Sequence, residues 1–570
     1  MKGLAKIFIR HAFLLLCCCL WLQVSWAQQA EKSLVLEAME QELFRSMKGL
    51  GEKGSPPPYF ISYSIKETQY ARISASYGAL RYSSKDRSRL LDVDVRVGDY
   101  NLDNSHRARG RYDYSYRRRR VISIPVEDDL DAIKSVLWLE TDNMYNAAVE
   151  RLIKVKTDKA VKVKEEDESA DFSRESPEKF IGPLSHISVD MAKWEKKLKK
   201  YSSLFNRFPE IYESYVYFST DATNKYFINS EGTMIQQGKT NWRLSISVKT
   251  KADDGMDLSK YESFYAHSLE GLPDDQTVIQ TIEKLTKDLL ALRAAPVIEP
   301  YSGPAILSGR AASVFFHEIF GHRIEGHRQK DAKEGQTFAK KVNQQVLPEF
   351  ISVYDNPMQK RIGENDLNGH YLYDDEGIKA RRVAVVENGI LKNFLMSRKP
   401  VAGFDKSNGH GRKQVGYKAV ARQGNLIVEA SKTVSEEELR ELLIKESKKQ
   451  GKPFGLIFKD ISGGFTYTGR GFPQSYAVIP IMVYRVYTDG RPDELARGVD
   501  LIGTPLVSFS KILACGDKQG VFNGTCGAES GGIPVSGVSP SILTAEIEIQ
   551  KKVKSEERPP LLPPPGRRDK

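Results

Sequence analysis

Cysteine is nearly missing from the chain once its first 27 residues are set aside. Of five cysteines, Cys17, Cys18 and Cys19 fall in that stretch, leaving Cys515 and Cys526. Two thiols cannot build a disulfide scaffold. They can pair once with each other, or one can hold a metal. Long apolar runs are just as scarce: beyond residue 27 nothing is both apolar and long enough to span a bilayer. A strong excess of one charge is missing too. Against 74 Asp and Glu, 85 Lys and Arg give +11, and removing the three basic residues of the first 27 leaves +8. So modest and dispersed an excess does not by itself indicate nucleic acid. No repeat of fixed period stands out. With 40% apolar residues the chain can form real cores, which excludes a disordered or collagen-like protein, and 570 residues predict two to four domains.

The N-terminus reads as an export signal. Lys2, Lys6 and Arg10 precede the apolar run Ala12–Leu22, and Ser25-Trp26-Ala27 offers a small-x-small cleavage site before Gln28. The expectation is an exported protein, periplasmic or secreted, without a transmembrane segment once the signal is removed. Retention as a membrane anchor is the alternative. Lipidation at Cys17 is disfavoured, because Leu14-Leu15-Leu16 matches a lipoprotein signal poorly.

The rest predicts an α+β fold, an N-terminal α/β region followed by a largely β C-terminal domain. Residues 28–293 form the first part, with a possible subdomain split near 157–190, and residues 294–550 the second. The charged, Pro-rich tail 551–570 is expected to be disordered. Helices are expected at Glu31–Lys48, Asp129–Trp138, Thr141–Lys156, Met191–Tyr201 and Asp275–Leu292. Strands are expected at Tyr59–Ser64, Ala71–Leu80 and Leu90–Val97, then at Glu213–Phe218, Lys225–Asn229 and Trp242–Thr250. Thr157–Ser176, rich in Lys, Glu and Asp, reads as a solvated arm or helix extension. Arg117–Arg120 ends a polar loop and, with no interleaved stacking platform, reads as solvated or as a partner contact. In the second half Ser308 is placed to cap a helix through Ile324, Asn388-Gly389 marks a hairpin, and Ser435 with Glu438 forms a capping box. Phe454–Phe458, Ala477–Tyr487 and Ile542–Ile549 read as strands.

The chemistry concentrates in Phe316-His317-Glu318-Ile319-Phe320-Gly321-His322. A helix carrying His-Glu and a second His is how zinc hydrolases supply two ligands and a base. The usual spacing is four. Here it is five, which at about 100° per residue leaves the histidines about 140° apart on a regular helix. They converge only across a π-like widening or a local helix end, which Gly321 could permit. A catalytic zinc also needs a third protein donor and an open position. Glu325 and His327 are near candidates. Cys526, between Gly524 and Gly527, is a distant soft one, and Cys515 a weaker one. A Cys515–Cys526 disulfide is the competing reading in an exported protein.

These elements resemble the TldD/PmbA family of zinc metallopeptidases, on its motif-bearing, TldD-like side. His317-Glu318 with His322 matches the family's His-Glu-x-x-x-His, and Gly321-His322-Arg323-Ile324-Glu325-Gly326 its continuation. Asp374-Asp375-Glu376-Gly377, the late Gly524-Thr525-Cys526-Gly527, and Asn229-Ser230-Glu231-Gly232 match as well. The resemblance spans roughly residues 30–550 and implies that Zn²⁺ is held by His317, His322 and Cys526, with Glu318 as general base. It implies unfolded peptides or peptide precursors as substrates, and pairing as a homodimer or with a family paralogue. The chain departs from familiar members in its export signal, in His327, where many relatives have an acidic residue, and in the arginine-rich loop and the Lys/Glu arm. His410 and Arg412 are candidates for stabilising an oxyanion. A scaffold with a vestigial site, and a metal amidase acting on cell-envelope material, are the alternative functions.

Overall fold

The structure, a computed structural model, describes residues 31–107, 121–160, 167–331, 333–470, 476–503, 505–552, 559–560 and 562. The export signal, Arg117–Arg120 and most of the 551–570 tail lie outside the described residues.

Two sheets organise the chain. The first is built on long antiparallel strands, β1 (Pro58–Ser76), β2 (Ala79–Val97), β3 (Glu213–Asn229), β4 (Met234–Lys251) and β5 (Asp257–Ala266), hydrogen-bonded in the order β2-β1-β3-β4-β5. One face is covered by α1 (Leu34–Lys53) and α2 (Leu130–Ala160), which pack Leu36, Met39, Ile133 and Leu137 on Ile61, Tyr63 and Val93. Ser33 caps α1 through the Leu36 N–H. A second cluster packs α3 (Met191–Ser203) and α4 (Asp275–Ala294), through Trp194, Leu198, Ile282 and Leu289, on Phe218 and Leu244.

The second sheet contains β6 (Tyr301–Leu307), β7 (Ile351–Asp355), β8 (Val383–Glu387), β9 (Asn425–Ala430), β10 (Phe454–Thr466), β11 (Tyr476–Tyr487), β12 (Val499–Gly503), β13 (Ile512–Ala528) and β14 (Gly531–Lys551). Its path β14-β12-β11-β10-β6 closes on itself, because β14 also pairs with β6. Against this ring packs α5 (Gly309–Phe315), which contributes Ala311, Ala312, Val314 and Phe315 to the largest core. A further helix, α6 (Glu436–Lys449), starts at Ser435, whose side chain accepts from Glu438 N–H as the capping box requires, and Gly451 follows it at φ 65°. The Asn388-Gly389 hairpin is present with both residues at positive φ.

Several boundaries differ from expectation. Leu130–Ala160 is one helix rather than two, because Leu139–Thr141 holds no Gly or Pro, and the buried Thr141 hydroxyl is bonded to Leu137 O and Tyr63. Tyr59–Ser64 and Ala71–Leu80 belong to a continuous β1 and its turn at Tyr77-Gly78. Ser308 holds the position before α5 but makes no cap bond, since its hydroxyl donates to Lys459 O. In the Lys/Glu arm, Asp171 and Phe172 are buried, against the solvated reading: Asp171 takes His106, and the Arg398 guanidinium lies 3.9 Å over the Phe172 ring.

Candidate metal centre

The helix that begins at Gly309 does not continue as an α-helix through the histidines. Phe316–Phe320 is a π-helical turn, with Gly321 N–H bonded to Phe316 O, and Gly321–Arg323 is a turn of 3₁₀-helix. The five-residue step superimposes i and i+5. The rings of His317 and His322 stand 5.2 Å apart, both buried. Gly321 contributes here by space rather than by conformational freedom: its backbone is right-handed at φ −57°, but a Cβ would fall 2.0 Å from Gln423 Oε1. Gln423 Nε2 donates to His317 O at 3.3 Å, bonding a carbonyl within the π turn to a side chain from the loop before β9.

Cys526 reaches the pair from β13, opposite Ile533 of β14. It is 8% exposed, so its flanking glycines do not present an open thiol. Its Sγ lies 3.3 Å from His322 Nε2, and one donor atom from each of His317, His322 and Cys526 lies within 4.8 Å of the other two. Burial disfavours charge on the thiol, but the imidazoles of His322 and His317 outweigh it and hold Cys526 well below the usual thiol range. Burial likewise opposes charge on His322, and Cys526 and Glu325 raise it well above its ordinary value. Cys515 is a separate free thiol, buried and pushed up to about 12 by burial. It lies earlier on the same strand, so the two cysteines form no disulfide.

His322 is gripped from behind. Its Nδ1 lies 3.3 Å from Glu325 Oε2, which also accepts from Arg328 Nε at 2.8 Å, while Glu325 Oε1 faces Arg422 Nε at 3.4 Å. Glu325 is fully buried, and its surroundings hold it at about 2 despite burial, chiefly through the charges of His322, Arg328 and Arg422. It therefore orients a histidine from the far side of the donor set. Arg422, also fully buried, donates to Cys526 O at 2.9 Å and to Ser530 Oγ at 2.8 Å. A single guanidinium thus bridges the backbone of one donor and the carboxylate that orients another.

His327 hydrogen-bonds Glu529 through Nε2, and Arg328 joins Glu529 to Glu325. Glu325, His327 and Glu529 bring donor atoms within 4.8 Å of one another, but the Arg328 guanidinium already binds both carboxylates, which makes this an ion-pair cluster rather than a cation site. His410 is engaged by Asp355 and Asn408, and Arg412 by Gln423 O and the Tyr371 ring. Arg328, Arg422, Gln423 and Glu529 carry no signal in a single sequence, since nothing in their neighbourhood distinguishes them from surface polar residues.

The donor set suits zinc. Two imidazoles and a thiolate are the borderline-soft ligands it prefers, and three protein donors leave a tetrahedral position open. His317 Nδ1 is buried without a hydrogen-bond partner among the described residues. Glu318 sits beside the set, with Oε2 3.9 Å from His322 Nε2. A Cβ on Gly464 of β10 would lie 2.9 Å from Glu318 Cγ, so this glycine leaves room for the carboxylate.

Residues 300–551 match the PmbA/TldA metallopeptidase C-terminal domain. The chain is similar to a metalloprotease of Methanocaldococcus jannaschii, 26% identical over 361 residues, covering 63% of this chain and 74% of that one. It is similar to a zinc metalloprotease TldD homologue of Saccharolobus solfataricus, 20% identical over 328 residues, covering 57% of this chain and 66% of that one. Of two further metalloproteases, from Methanothermobacter thermautotrophicus and Archaeoglobus fulgidus, it spans only 65% and 57% of the length. The crystal structure of TldE from Thermococcus kodakarensis shares the fold, with a TM-score of 0.57 and 13% identity, over 90% of this chain and 100% of that one.

Proposed function

We propose, from the premise that this chain belongs to the TldD/PmbA family, that it is a zinc metallopeptidase hydrolysing peptide bonds in unfolded or extended peptides. His317, His322 and Cys526 would hold the ion. Bound there, zinc would supply Lewis acidity toward water and the scissile carbonyl. Glu318 is the base: its carboxylate takes the proton of the attacking water and returns it to the leaving amine. Glu325 keeps His322 turned toward the donor set, and the walls of Phe316, Ile319 and Phe320 are fully buried, which limits stray water behind the histidines. The observation that carries the reading is the convergence of two imidazoles and a thiolate within 4.8 Å, with a carboxylate 3.9 Å from one of them.

The test uses the purified full chain. Zinc should be present at about one per chain, and Glu318→Gln should lower peptide hydrolysis by about 100- to 10,000-fold while zinc content stays the same. Equal hydrolysis by both proteins would remove Glu318 from the base role.

We also place the protein outside the cytoplasm, as a dimer of two copies or with a family paralogue. Support comes from the signal-like residues 1–27 and from the shared fold with TldE. Native mass spectrometry of protein recovered from an exporting host should find a chain beginning at Gln28 in a two-chain particle. A chain retaining Met1, or a monomer at micromolar concentration, overturns the corresponding half.

A further inference from the structure

A cavity of about 250 Å³ lies between the first sheet and the metal-bearing half of the chain. Ser62, Asp94 and Arg96 line one side, Phe172 another, and His327 and Glu529 the wall nearest the metal centre. That wall is continuous with the donor set: Glu529 accepts from Arg328 at 2.8 Å, Arg328 donates to Glu325 at 2.8 Å, and Glu325 meets His322 at 3.3 Å.

Charge in the cavity is uneven once existing pairs are removed. Asp94 takes Arg96, Asp92 takes Lys413, Asp375 takes Lys225, Asp171 takes His106, and Glu529 takes Arg328 and His327. Arg398 is held by Glu231. Lys399 also lines the cavity, and its ammonium makes no hydrogen bond or ion pair among the described residues. Burial lowers its pKa, and the attraction of Asp171 is offset by Arg107 and Arg96. An enclosed ammonium without a partner is a costly arrangement, and such groups in native structures call for an explanation. An anion entering the cavity would supply the missing partner.

We propose that this cavity is a subsite for a carboxylate of the substrate peptide, with the Lys399 ammonium as its anchor. The inference rests on the peptidase reading above and names the substrate class: peptides that place a carboxylate beside the scissile bond. An α-carboxylate and an Asp or Glu side chain share the chemistry. Single-residue selection of this kind follows from leaving a buried charge unpaired whenever the carboxylate is missing.

Two matched peptide pairs separate the sources: one peptide with a free C-terminus against its C-terminal amide, and one amide-blocked peptide carrying Glu against its Gln analogue. For at least one pair, the wild-type protein should favour the acid by about 10- to 100-fold in kcat/KM, the span of a charge-assisted hydrogen bond. In Lys399→Met that ratio should collapse to about one, and Lys399→Arg should restore part of it; Lys399→Gln serves if the methionine variant does not fold. Fluorescence anisotropy with Glu318→Gln reads the same preference without turnover. Preference in binding but no hydrolysis by the wild type would sink the peptidase reading and leave the subsite standing. Absence of acid preference in the wild type, or an unchanged ratio in Lys399→Met, overturns the subsite.

Discussion

Cys526→Ser should purify with less than about a tenth of the wild-type zinc and should not recover it on dialysis against micromolar zinc. Loss of a residue that only orients a metal ligand costs about 10- to 100-fold in affinity. Loss of the ligand itself should cost more than about 100-fold, because a serine hydroxyl stays neutral where the thiol is already ionised. The two imidazoles beside Cys526 hold its thiol well below the usual range, so at neutral pH the site offers zinc a preformed thiolate. The substitution exchanges sulfur for oxygen with little change of volume, and β13 keeps its pairing with β14 on both sides of Cys526. Zinc analysis and chelator competition on wild type and variant check this, with circular dichroism to show that the variant is folded. A folded variant with an unchanged zinc ratio would move the third ligand elsewhere. Glu325 is then the nearest carboxylate, at 3.3 Å from His322 Nδ1.

The same site shows what sequence can convey and what it cannot. A His-to-His step of five is incompatible with a regular helix, and the physical remedy, a wider turn, is what Phe316–Phe320 adopts. Gly321 stands out in the sequence, but as a source of backbone freedom; its actual constraint is the amide of Gln423, which lies 102 positions later and comes near only through the fold. Cys526 could be singled out by its flanking glycines, yet those glycines suggested an exposed loop, whereas β13 is a 17-residue strand. Glycine is depleted in strands because it adds no packing side chain, so a glycine-rich strand is hidden from propensity. Choosing Cys526 over Glu325 or His327 rested on family resemblance. The long amphipathic helices and the Ser435 cap were legible because their signals are local. The buried Phe172 within the Lys/Glu arm was not, since its partner Arg398 is distant in sequence.

Arg422 has the second large effect, and it separates stability from metal affinity. Its guanidinium donates to Cys526 O at 2.9 Å, to Ser530 Oγ at 2.8 Å and to Gly531 O at 3.2 Å, and faces Glu325 Oε1 at 3.4 Å, all without exposure. Arg422→Met should lower folding stability by about 3–5 kcal/mol, the cost of removing one partner from a buried charged pair. Arg328 still faces Glu325, which argues for the lower end. The Cys526 carbonyl loses its donor and Glu325 loses one of the cations that fix it behind His322, so zinc affinity should fall by about 10- to 100-fold as well. Arg422→Lys keeps the charge but cannot make the fork; it should recover stability more than affinity. Adding Glu325→Gln to Arg422→Met removes the uncompensated carboxylate and should regain part of the lost stability, but not the affinity, because His322 then has a neutral amide behind it. Urea unfolding with and without chelator gives the first quantity and chelator competition the second. If Arg422→Met unfolds more readily yet binds zinc as tightly as the wild type, this arginine supports the β13–β14 turn alone, and the link from guanidinium to donor set is broken.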